Sequence, residues 1–398
     1  MRQRSRLTNI LQPFRRVTSS GSVIPEIDGL RFIAIASVFI YHLSGDVLRH
    51  ARPEYVASVT QSSGFFWFTQ KLDFGVPLFF VISGFILALP FAQQHLQGKD
   101  RVRLGKYYLR RVTRLEPPYI ISLLVLFLLK ALHDGDFSSL TPHLMASLFY
   151  AHNLKFGGPS LVNVVAWSLE IEIQFYVIAP LLALVFRLPK VKRRLLVSLC
   201  CFAAAALQLS LPSEHILRLT LLGYLQYFLA GFLLADLYLT EECGGWNCDA
   251  ISVIGWPILA VMLGYPRVLP ILSPFLVAIL YLAALYGKFS SRIASAPLLA
   301  TIGGMCYSIY LIHNYAIAAG GRVSEHIVLS DLFPVRLATQ IVLVGPPVLL
   351  LSAIYFRLIE KPCMQLRLAF PSGRSGIAAK PLESTRAVAI LRPGTSSQ

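Results

Sequence analysis

The sequence predicts an all-α membrane protein, a polytopic bundle of about ten transmembrane helices. Three observations carry this. Of the 398 residues, 55% are hydrophobic and only 14% are charged, against about 25% charged in a soluble domain. The apolar residues arrive in blocks of about 20, the length that crosses a hydrocarbon core. Lysine and arginine collect in alternate connecting segments, as they do in multi-spanning chains.

The blocks are 27–48, 75–94, 115–132, 165–187, 193–211, 216–239, 250–265, 269–287, 298–319 and 336–358. The stretch around Pro142–Asn153 is apolar in part but short, and reads as interfacial or re-entrant. With the N-terminus inside, segments 1–26, 95–114, 188–194, 240–249, 288–297 and 359–398 hold most of the basic residues outside the spans. Both termini are then cytoplasmic, in a multi-pass protein of the cell membrane. The net charge of +16 is on this reading a topology signal. No soluble basic face is visible, so no nucleic-acid partner is expected.

Residues 1–23 are polar and basic, and no small-residue cleavage site follows the first apolar run, so no cleavable signal peptide is expected. The chain divides into a disordered basic segment 1–23, a transmembrane domain 24–363 and a mostly disordered tail 364–398. The six cysteines give no framework. Cys200, Cys201 and Cys306 lie in spans, Cys363 follows the last, and Cys243 and Cys248 share an inner loop without histidine. Free thiols are expected and no metal site.

In the first span Arg31 and His42 are eleven residues apart, which returns them to one helix face about 16 Å apart. Asp28 lies on the same stripe. Arg31 could reach the headgroups and His42 could hydrogen-bond a neighbouring helix. An ionisable group as deep as His42 is nevertheless a functional candidate, and a neutral imidazole can act as general base toward a hydroxyl.

Span four opens Trp167-Ser168-Leu169-Glu170-Ile171-Glu172, and its two carboxylates point about 200° apart. Glu172 shares a face with Ser168, Phe175 and Tyr176. Span nine places Tyr310 one turn from His313. Counting from helix ends puts His42, His313 and Glu172 at one level, about 20 Å from the inner face. Three separate helices thus supply one polar layer. The bland alternative is a set of unrelated polar contacts between helices. Near the inner face, Arg111 and Arg114 share a helix face, which suits a ligand bearing several phosphates; from charge alone the cluster reads first as a topology anchor. The block Gly75–Phe85 holds small residues that allow close helix approach or pore space, and reads first as packing.

Taken together, the blocks IDGLR…YH (Ile27–His42), GVPLFFVISGF (Gly75–Phe85), YYLRRVTRLEPPY (Tyr107–Tyr119), WSLEIEIQFY (Trp167–Tyr176), YSIYLIH (Tyr307–His313) and EKP (Glu360–Pro362) resemble the acyltransferase 3 family of membrane O-acyltransferases. The resemblance covers roughly 25–363. It implies transfer of an acyl group, most often acetyl, from acyl-CoA to a hydroxyl of a carbohydrate, lipid-linked glycan or natural product. It matches Arg31 and His42 to the family's arginine and catalytic histidine, Arg111 and Arg114 to its paired arginines, and Glu172 to its first glutamate. The usual second glutamate is Ile173 here.

His42 and Glu172 are accordingly the expected catalytic residues, Arg31, Arg111 and Arg114 the donor-binding residues, and Tyr310 and His313 the acceptor-binding residues. No tightly bound cofactor is expected; acyl-CoA is a substrate. Direct transfer and a covalent acyl-enzyme both fit. The alternative is a transporter whose buried His/Glu layer relays protons, but the chain lacks paired halves with matching broken spans.

Overall fold

The computed structural model describes residues 11–16, 24–212, 215–240 and 246–366. Among these residues the regular structure is all helix, with no strand. The first long helix, α1 (Pro25–Arg49), begins with Pro25 in its first turn beside Glu26 and Asp28. Proline lacks an amide that would go unpaired there, and the carboxylates face the positive end of the helix dipole. After α2 (Gly75–Leu96) comes α3 (Leu104–Asp134), which ends at Gly135 in the left-handed region, φ +70°. Two short helices follow, α4 (Phe137–Leu148) and α5 (His152–Phe156). The rest of the bundle is α6 (Trp167–Leu182), α7 (Lys190–Ser210), α8 (Leu225–Thr240), α9 (Trp246–Met262), α10 (Leu269–Tyr286), α11 (Pro297–Gly304), α12 (Cys306–Ser324) and α13 (Phe333–Tyr355).

Each of the ten expected spans falls mainly on helix. Seven helical stretches are long and apolar enough to cross a membrane: Pro25–Arg49, Gly64–Leu96, Leu104–Asp134, Val164–Arg187, Lys190–Ser210, Leu269–Tyr286 and Phe333–Gln365. Leu225–Thr240 and Asn247–Met262 are apolar but shorter. The expected span 298–319 is two helices, α11 and α12, meeting at Met305. Its lower hydropathy has a physical cause: Tyr307, Ser308 and Tyr310 spend their hydroxyls on bonds inside the bundle.

Without a hydrophobic drive between helices in lipid, association depends on close packing. One close crossing joins α2 to α8. A Cβ on Gly84 would lie 2.2 Å from the Phe228 carbonyl oxygen, and one on Gly231 would lie 2.4 Å from the Phe85 amide nitrogen. The Gly75–Phe85 block therefore brings backbones together. Around it Phe175 stacks on Phe228 with centroids 4.1 Å apart, and Phe186 stacks on Phe232 at 5.6 Å.

Of the segment 1–23 expected to be disordered, residues 11–16 are described and form one 3-10 turn, Gln12–Phe14. The remainder of that segment, residues 367–398 and Cys243 lie outside the described residues.

Candidate active site

One face of α1 carries Asp28, Arg31 and His42, as the helical period requires. Asp28 and Arg31 are buried and paired at 2.6 Å. His42, half-buried, meets His313 of α12, their ring centroids 5.0 Å apart. His313 is wholly buried, and its Nδ1 lies 2.9 Å from the Tyr310 carbonyl oxygen and 3.0 Å from that of Ile309. A carbonyl can only accept, so Nδ1 carries the proton and Nε2 keeps its lone pair. That Nε2 is buried and has no hydrogen-bond partner. The pair thus presents a neutral imidazole with an uncommitted acceptor beside a second imidazole, inside a membrane bundle.

The wall of this site is backbone. Beyond α5 the chain dips into the bundle: Val162, Asn163 and Ala166 have no exposed surface. Tyr315 donates to the Val162 carbonyl, Tyr310 to that of Val165, and Asn163 Nδ2 to that of Leu311 at 3.3 Å. Irregular backbone survives at this depth because protein groups, and not lipid, face it. Tyr310 also meets Ser168 at 2.8 Å. The short stretch Pro142–Asn153, expected to be interfacial or re-entrant, lies on α4 and the start of α5 and leads into this buried segment, which ends in α6.

The two carboxylates of α6 separate, as their angular spacing demands. Glu170, buried, accepts from the His152 and Asn153 amides at 3.2 and 2.9 Å and so caps α5. Glu172 accepts from Ser83 Oγ at 2.6 Å and from the Tyr176 hydroxyl. No hydrogen bond joins it to His42 among the described residues. The expected common level holds for the two histidines and not for Glu172. Since α6 and α12 run antiparallel and Ser168 faces Tyr310, Glu172 lies four residues toward the basic end and His313 three residues away from it. That separates them by about 10 Å. The count failed because it took residue 165 as a membrane boundary, whereas Val165 and Ala166 are already buried inside the bundle.

At the basic end Arg111 donates to the Tyr107 carbonyl at 3.0 Å and lies 3.9 Å from that ring's centroid and 5.8 Å from the ring of Tyr176. Tyr176 thereby links Glu172 to Arg111. Arg114 Nε is buried without a hydrogen-bond partner. Arg31, committed to Asp28, is the least free of the three expected donor-binding arginines.

A family profile described as an acyltransferase domain matches residues 24–357. The chain belongs to the acyltransferase 3 family. Among curated proteins it is similar to the peptidoglycan O-acetyltransferase OatA of Listeria monocytogenes, 32% identical over 186 residues, covering 43% of this chain and 26% of that one. A putative O-acetyltransferase of Staphylococcus aureus (strain COL) is 26% identical over 331 residues, 73% of this chain and 50% of the other. The putative peptidoglycan O-acetyltransferase YrhL of Bacillus subtilis is 32% identical over 176 residues, 41% and 24%. The matches thus span half or less of these relatives' own length. No solved structure matches the chain.

For an acyltransferase 3 protein the site has parts that sequence reasoning left unassigned. Glu360, wholly buried, accepts from Ser308 Oγ at 2.5 Å, and Lys361 Nζ donates to the Pro13 carbonyl at 2.5 Å. The EKP block was visible as a motif; its partner in the N-terminal segment was not. Arg16, in that segment, reaches within 3.7 Å of Asp28.

Proposed function

We propose that the protein is a membrane O-acyltransferase that moves an acyl group, acetyl foremost, from acyl-CoA to a hydroxyl of a carbohydrate, lipid-linked glycan or natural product. The observation that carries this reading is the His42–His313 pair, with one bare acceptor nitrogen, held against re-entrant backbone in a bundle of this family. The names of the relatives favour acetyl as the group transferred and a glycan as the acceptor. Both termini lie on the cytoplasmic side in this reading, where the basic end would meet a cytoplasmic donor.

In the proposed step His42 takes the proton of the acceptor hydroxyl as its oxygen attacks the thioester carbonyl carbon. The carbon–oxygen bond forms, the carbon–sulfur bond breaks, and the proton passes to the departing thiolate. His313, its tautomer fixed by backbone, packs its ring against His42 and holds it in the productive orientation. Tyr310 and Ser168 border the acceptor. Glu172 acts as a positioning residue that fixes Tyr176 beside Arg111.

The deciding experiment supplies the purified full chain with radiolabelled acetyl-CoA and a panel of sugar, glycolipid and natural-product alcohols. Transfer of label to a hydroxyl supports the reading. Absence of transfer across the panel, together with proton-coupled substrate flux in vesicles, would replace it with the transporter.

Two variants test the assigned roles. Arg111→Gln and Arg114→Gln are each expected to raise the apparent KM for acyl-CoA about tenfold, with a smaller fall in kcat, because each loses charge-assisted bonds to phosphate. An unchanged KM in both would return the arginines to topology alone. Glu172→Gln keeps the side-chain shape and one acceptor, so its kcat/KM should fall by about tenfold or less. A loss as large as that of a histidine variant would make Glu172 the proton partner after all.

A further inference from the structure

The donor reading leaves one buried cation without a task. Arg16 leaves only 11% of its side chain exposed, yet neither Nε nor Nη1 makes a hydrogen bond. Its nearest carboxylate, Asp28, stands 3.7 Å away and is already held by Arg31 at 2.6 Å. Arg114 Nε is bare in the same way. Glu360 Oε1, also buried and bare, bonds neither arginine. Three uncommitted nitrogens on two neighbouring arginines are thus buried at the basic end, where an unpaired ionic donor is costly.

The segment that brings Arg16 here is seated, not incidental. Lys361 holds the Pro13 carbonyl, and Phe14 packs against the cluster of Met305, Cys306, Ile309 and Phe356. Burial, and then the neighbouring charges of Arg31 and Arg114, pull the Arg16 pKa down to about 9. Cations held this close to one another fit a site built for an anion. Arginine's fixed fork suits phosphate oxygens in particular.

We infer that Arg16 is a phosphate-binding residue of the donor site, acting with Arg114, so that the N-terminal segment completes a pocket that the bundle alone leaves open. The inference rests on the proposed acyl-CoA donor and adds to it a ligand from outside the spans. It also gives the EKP block a purpose, since Lys361 anchors the turn that carries Arg16.

Titration calorimetry of the purified full chain with coenzyme A, and with pantetheine as its phosphate-free counterpart, tests this. Wild type should bind coenzyme A at least about tenfold more tightly than pantetheine. Arg16→Gln should lose about tenfold in coenzyme A affinity and nothing in pantetheine affinity. Arg16→Lys, which keeps the charge and loses the fork, should fall between and guards against a variant that does not fold. If Arg16→Gln retains full discrimination while Arg111→Gln loses it, Arg16 is no ligand and the donor reading stands. Equal losses for both ligands would mark a packing role and overturn the inference. Wild type that does not discriminate would remove the donor reading, and Arg16 with it.

Discussion

His42→Ala is expected to lower turnover with acyl-CoA and acceptor by about 10²–10⁴-fold, the range that a positioned general base contributes, while the protein stays folded. The side chain is half-buried, and no hydrogen bond ties it to another helix among the described residues. Truncation therefore removes a ring contact and leaves the Asp28–Arg31 pair and the wall at Val162–Ala166 in place. The check is kcat at equal amounts of monodisperse protein, with coenzyme A affinity as a second readout that should not move. Adding His313→Ala to His42→Ala should cost little more than His42→Ala alone, because the two rings act as one unit. Turnover within a few-fold of wild type would remove His42 from the chemistry.

A loss of a different kind is expected from Gly303→Val. The α11 backbone crosses α1 so closely that a Cβ at Gly303 would stand 1.7 Å from the Asp28 carbonyl oxygen and 2.8 Å from the Phe32 amide nitrogen. Gly29 of α1 is similarly pressed, its Cβ position 1.9 Å from the Ala294 carbonyl oxygen. These obstacles are main-chain atoms, which cannot turn aside as a flexible side chain would. The helices must part, and with them the turn that holds Asp28 and Arg31. A penalty at or above about 3 kcal/mol, the upper end for overpacked interiors, follows. It should appear as collapse of the folded, detergent-extracted fraction. Gly45→Ala, in the same α1 helix but with open space around its Cβ position, is the control and should be neutral. A Gly303→Val protein that accumulates and melts like wild type would show that this crossing is not needed.

Much of the bundle is legible because membrane burial writes directly into composition. An uninterrupted apolar stretch has few alternatives to a helix in lipid, which is why segments such as 27–48 and 75–94 are matched by Pro25–Arg49 and Gly75–Leu96. The meeting of His42 with His313 was also within reach, since both sit on regular helices counted from the same end. Glu172 was not, because residue counting has no access to a chain that enters the bundle before its helix starts. The break at Met305 escaped for a related reason: it answers to a close approach between α11 and α1, a long-range contact with no local signature beyond two glycines. Arg16 lay in a stretch whose polar composition reads as unstructured, and only Lys361, more than 340 residues away along the chain, shows where it goes.

The inward excursion at Val162–Ala166 also constrains the order in which the protein can be made. Two of its carbonyls accept from Tyr310 and Tyr315, and its Asn163 side chain donates to the Leu311 carbonyl, partners that lie 145 to 153 residues further along the chain. At ordinary ribosomal speed those partners emerge about 7–30 s later. Until then the segment has no place in the hydrocarbon and must wait at the surface or in the insertion machinery. This side of the proposed site is thus closed late, and a nascent chain halted before α12 would carry the excursion without Tyr310, His313 or Tyr315.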